Sequence, residues 1–160
     1  MTDADGWAGT LHGRPRVGQS AERRRVTEAG DIAAFTGMTG DRNPLHYDEA
    51  LARASVFGRV IVQGGVTSGL LNALVAEDLP GPGTVFLSVE WKFRKAVGVG
   101  EELVARAEVL TVREDKPICT LATSIRNGAG EVCLEGTATT YTIPLAPAAP
   151  GRGDAERGPG

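Results

Sequence analysis

Hydrophobic and polar positions divide the chain into two halves with different periods. From residue 84 onward the period is two. Val85, Leu87, Val89, Trp91 and Phe93 alternate with Phe86, Ser88, Glu90, Lys92 and Arg94, which predicts a half-buried strand over 84–94. A second alternation runs through Leu103, Ala105, Ala107 and Val109 and predicts a strand over 101–112. After a turn at "REDKP", strands follow over 117–127 and 131–143, joined by "NGAG", a strong hairpin signal. Before residue 84 the pattern is helical. A short entry strand at 20–27 leads to a helix near 28–38. Thr27 is its expected N-cap, Ile32 and Phe35 form its apolar side, and Gly37 or Gly40 can end it. "DEALARAS" at 48–55 reads as a second short helix.

Residues 60–79 form the longest helical candidate. Val66, Leu70, Leu71, Leu74 and Val75 cover more than one side, as expected of a buried helix. Gly65, Ser68, Gly69, Asn72 and Ala76 make a small-residue stripe suited to close approach of another backbone. "LPGPG" ends the helix. Helical material, one long apolar helix and then four consecutive antiparallel strands together predict an α+β hot-dog fold, an antiparallel sheet wrapped around a long central helix. A two-layer α+β sheet with another strand order satisfies the same pattern.

Composition narrows the function classes. The chain has 160 residues, 41% hydrophobic and 23% charged, enough for one domain with a sizeable core. A net charge of −3 gives no reason to expect nucleic acid as a partner. No long apolar run predicts a membrane helix, and the N-terminus lacks the apolar segment of a secretory signal. Cys119 and Cys133 lie in strand-like runs without metal-ligand spacing, so they are expected as buried free thiols in a cytoplasmic protein. The Pro-, Gly- and Ala-rich segment 144–160 is expected to be disordered and residues 1–19 to be a tail, leaving 20–143 as the domain.

Candidate chemistry concentrates in "GDRNPLH" at 40–46. On a continuous helix Asp41 and His46 would point about 140° apart. Pro44 makes such a helix unfavourable and pushes Asn43 into an extended conformation, so a turn can bring both side chains to one side. Asp41 and Asn43 can stiffen that turn by bonding the local backbone. Residue types alone leave two readings open, a structural Asp–Asn–Pro turn or an acid/base pair sharing a water. The other histidine, His12, lies in the expected tail.

"TGDRNPLHYDEA" resembles the hydratase motif of (R)-specific enoyl-CoA hydratases in the MaoC-like hot-dog family. The resemblance continues through "FGRVIVQGGVTSGLL", "LPGPGTVFL", "FRKAVGVGEELVARAEV" and "REDKPICTL" and closes on "GTATTYTIP". It implies that Asp41 and His46 bind a water added reversibly across a trans-2-enoyl thioester, giving the (R)-3-hydroxyacyl thioester. It implies further that the Gly64 N–H meets the thioester carbonyl, that Asn43, Gln63 and Asn72 belong to the substrate site, and that no cofactor or metal is used. The expected partners are an acyl-CoA or acyl-carrier-protein thioester and a second copy of the chain, with the site at the subunit interface.

The chain departs from that pattern where many relatives have His-Gly-Met and it has Gln63-Gly64-Gly65, and where Asn72 replaces a frequent serine. These changes put the acyl tunnel and the role of Asn72 in question. Lys92, Arg94 and Lys95, like "ERRR" at 22–25, could meet phosphates or an acidic carrier protein, or simply form solvated strand faces. A hot-dog thioesterase, addition of another nucleophile, and a non-catalytic acyl-thioester binding module remain alternatives.

Overall fold

The computed structural model describes residues 5–146, so residues 147–160 of the segment expected to be disordered lie outside it. The elements run β1 (Ser20–Val26), α1 (Ala29–Thr39), a 3-10 turn at Pro44–His46, α2 (Glu49–Ala54), α3 (Gly64–Glu77), β2 (Thr84–Phe93), β3 (Glu102–Val112), β4 (Ile118–Asn127) and β5 (Val132–Thr142). The strands form one five-stranded antiparallel sheet in the order β1-β3-β4-β5-β2. Sequence neighbours β2 and β3 are therefore not spatial neighbours: β2 crosses to the far side of β5, and β1 takes the place beside β3.

The sheet wraps around α3, as the hot-dog arrangement requires. Thr67, Leu70, Leu71, Leu74 and Val75 are buried on α3. They meet Leu103, Ala105, Ala107 and Val109 of β3, Leu121 and Ile125 of β4 and Leu134 of β5. Each fully buried leucine stabilises the fold by about 1.5–3 kcal/mol. The helix begins at Gly64, four residues later than its apolar run. Residues 60–63 are extended, with Ile61 bridged to Gly98 and the Val62 N–H donating to the Val97 carbonyl at 2.8 Å. A continuous apolar run does not distinguish buried strand from buried helix.

Four other expectations change. Thr27 does not cap α1; its hydroxyl is buried and donates to the Gly98 carbonyl at 2.7 Å, while Asp31 takes the Glu28 N–H at 2.9 Å. Residues 5–19 are not a loose tail: Trp7 is 1% exposed, and its indole N–H donates to the Arg113 carbonyl at 2.7 Å. A lone tryptophan among polar residues carries no periodic signal. At its two glycines the small-residue stripe of α3 faces a side chain and open space instead of another backbone: a Cβ on Gly65 would lie 2.2 Å from the Phe35 ring, and one on Gly69 would meet nothing within 4 Å.

The fourth change is in β2, where a bulge between Phe86 and Ser88 shifts the alternation. Phe86 and Trp91 pack edge-to-face, ring centroids 5.6 Å apart, against the core. Val85, Leu87, Val89 and Phe93 stay exposed on this edge strand.

Candidate active site

Segment 40–46 follows α1, which ends at Gly40 in the left-handed conformation (φ 80°). Asn43 is extended (φ −50°, ψ 128°), as its following proline demands, and its Oδ1 accepts the Leu45 N–H at 3.1 Å. Asp41 Oδ1 accepts the Asn43 N–H at 3.0 Å. Two successive side-chain-to-backbone bonds thus shape the turn. The turn brings Asp41 Oδ2 to 3.8 Å from His46 Nε2.

The two groups differ in how they are held. His46 is 8% exposed, and its Nδ1 lies 2.7 Å from the Ile61 carbonyl, in the extended stretch before α3. A carbonyl only accepts, so the proton of the neutral ring sits on Nδ1 and the Nε2 lone pair faces Asp41. Asp41 is half-exposed. At 3.8 Å the carboxylate and Nε2 are too far apart for a direct hydrogen bond but close enough to share one water, each about 2.8 Å from it. Both are acceptors, so both protons of that water are engaged and its lone pairs point away from the pair.

Gly64 opens α3 and is exposed; N–H groups of a first helical turn have no intrahelical acceptor. A Cβ on Gly64 would sit 3.1 Å from the Phe93 ring, so glycine lets the start of α3 and the end of β2 approach closely. Gln63, the N-cap, is 2% exposed. Its Nε2 donates to the Ile32 carbonyl at 3.1 Å and to Thr36 Oγ1 at 3.3 Å, which fixes the amide orientation. Its Oε1 is buried with no donor among the described residues, an unmet acceptor at the start of α3. Asn72 is exposed, eight residues and about 12 Å along the helix axis from Gly64.

The family pattern covers this whole region. The MaoC like domain family matches residues 11–127. An (R)-specific enoyl-CoA hydratase of Aeromonas caviae is 40% identical over 122 residues, covering 76% of this chain and 91% of that protein. The chain belongs to the MaoC-like family. A 3-hydroxybutyryl-CoA dehydratase of Methylorubrum extorquens is 34% identical over 76% of this chain and 77% of its own length. A solved (R)-hydratase from A. caviae, described as involved in PHA biosynthesis, superposes with a TM-score of 0.77 at 38% identity, over 81% of this chain and 98% of that one.

Other expected features of this MaoC-like chain fall outside the site. Arg23 pairs with Asp78 at 3.0 Å, Arg24 with Glu102 at 3.2 Å, and Arg25 with Asp31. Arg94 pairs with Glu135 at 3.1 Å and Lys95 with Glu131 at 2.7 Å. Both basic runs are thus largely neutralised by neighbouring carboxylates on solvated faces. Cys119 and Cys133 are buried free thiols, and burial pushes both thiols up, away from nucleophilic thiolate. No group of three or more His, Cys, Asp or Glu side chains among the described residues is placed to hold a metal. No helix among them is long and apolar enough to cross a membrane. The sequence reading missed Ile61, Thr36 and Tyr47, which hold the pair from behind. Tyr47 directly follows the motif, but Thr36 and the Ile61 carbonyl carry no local signal.

Proposed function

We propose that the protein is an (R)-specific enoyl-CoA hydratase, a hydro-lyase that adds water reversibly across trans-2-enoyl thioesters. The observation that carries this reading is the Asp41–His46 pair, Oδ2 and Nε2 3.8 Å apart, with His46 Nδ1 bonded to the Ile61 carbonyl. The names of the relatives agree with it. The shared water loses one proton to the pair as its oxygen attacks C3, and the pair returns one proton to C2, so the enzyme ends as it began. The developing enolate oxygen takes the Gly64 N–H at the positive end of α3. Gln63 Oε1 offers the buried acceptor beside it. Gly64, Ser68 and Asn72 recur at four-residue spacing along α3, and in our reading this line carries the acyl chain, with Asn43 bracing the turn from the far side.

The substrate is an acyl-CoA or acyl-carrier-protein thioester. A second copy of the chain is the natural cover for β2, an edge strand with exposed Val85, Leu87, Val89 and Phe93. Because the Phe93 ring also lies against Gly64, that copy would sit beside the start of α3. Two buried free thiols fit a reducing, cytoplasmic setting.

The test is purified protein with crotonyl-CoA, following enoyl absorbance and free thiol together. Loss of enoyl absorbance without thiol release is the expected result. Thiol release would point to hydrolysis. Neither change, across several chain lengths and with both CoA and carrier-protein esters, would refute the enzymatic reading.

A further inference from the structure

Two threonines of α1 make different choices. The Thr39 hydroxyl donates to the Phe35 carbonyl one turn back at 2.8 Å, the usual bond for a threonine in a helix. Thr36, 5% exposed, does not turn back to Ile32, whose carbonyl accepts the Gln63 amide instead. Its hydroxyl points out of the helix and donates to the Asp41 carbonyl at 2.7 Å. It also meets the Tyr47 hydroxyl, and Gln63 Nε2 approaches it at 3.3 Å.

A threonine hydroxyl has one proton and two acceptor sites. The Asp41 carbonyl can only accept, so it takes that proton, and Tyr47 O–H and Gln63 N–H must both be donors. All three capacities are filled. The three partners are Asp41 itself, the residue after His46 and the residue before Gly64. One buried hydroxyl therefore joins the three arms of the site. His46 has its own anchor in the Ile61 carbonyl. Among the described residues the Asp41 backbone is otherwise held only by its N–H bond to Thr39 Oγ1, at 3.2 Å and exposed.

We propose that Thr36 is a positioning residue for the hydration reaction, setting Asp41 against His46 and the start of α3. The proposal rests on the hydratase reading. Catalysis by a shared water is sensitive to such placement, since displacement by about 1 Å can cost about 10²-fold.

The test compares Thr36→Val, which keeps shape and removes the hydroxyl, with Thr36→Ser, which keeps the hydroxyl. Crotonyl-CoA hydration is measured with circular dichroism as the control for folding. The expected result for Thr36→Val is a kcat lower by about 10- to 100-fold with KM nearly unchanged, and for Thr36→Ser a kcat within about threefold of the parent. A folded Thr36→Val with parental kcat overturns the proposal, as does a Thr36→Ser that falls equally far. If Thr36→Val does not fold, Tyr47→Phe decides, because Tyr47 is partly exposed and loses only one donor. A kcat lower by about 3- to 10-fold supports the proposal and an unchanged kcat overturns it. A parent protein inert toward every enoyl thioester overturns the hydratase reading and this inference together, whereas an active parent with an unaffected variant overturns the inference alone.

Discussion

Asn43 and Asn127 do the same local work. Each Oδ1 accepts the N–H two residues on, at 3.1 Å in both turns. The turn at 127–130 then closes on itself: Asn127 Oδ1 also takes the Glu131 N–H at 2.9 Å, and β4 and β5 pair directly behind it. The turn at 40–46 closes on other elements. It reaches α1 through Thr36 and the stretch before α3 through the Ile61 carbonyl. Turn chemistry alone therefore makes no site. A site arises where a turn is finished by groups on other elements of the fold.

That contrast can be broken most sharply at the pair itself. Asp41→Asn or His46→Gln is expected to lower hydration by about 10²–10⁴-fold with the fold intact by circular dichroism. Near-parental rates in both variants would reduce 40–46 to a turn like 127–130. Next in size is Gly65→Met, whose side chain would run into the Phe35 ring. It is expected to cost about 1–3 kcal/mol in urea unfolding, and Phe35→Ala added to it should recover most of that loss. No loss would mean that the ring is not held against α3.

The hairpin offers the opposite expectation. Gly130 has φ +78°. Gly130→Val should cost about 1–2 kcal/mol of stability while kcat of the folded fraction stays parental. A large fall in kcat would tie the hairpin to the site. The smallest effects sharpen the comparison further. Asn43→Ala and Asn127→Ala should each lose about 1 kcal/mol per hydrogen bond removed, but only Asn43→Ala should lower kcat, by about tenfold. Equal behaviour in the assay would erase the distinction.

Much of this was legible from residue order because the signals were local and repeated. The alternation in β3, β4 and β5 sets each strand's buried face, and the apolar run of α3 marks the central element. Pro44 breaks the helix between Asp41 and His46, and that backbone restriction holds wherever the segment sits. The family motif supplied the roles proposed for the pair and for Gly64, which residue types alone left open.

The remainder depended on partners far apart in the chain. The Leu87 bulge, the crossing of β2 to the edge beside β5, and the burial of Trp7 beneath residue 113 follow from pairing and packing across the whole domain. The same holds for the site. Asp41, Asn43 and Pro44 shape a turn by themselves, because their bonds span two or three residues. The His46 tautomer and the Asp41 anchor required the Ile61 carbonyl and the Thr36 hydroxyl. The Thr36 bond to Asp41 spans only five residues, but the Ile61 bond to His46 and the Gln63 bond to Thr36 form only once the stretch before α3 is packed against α1 and the turn.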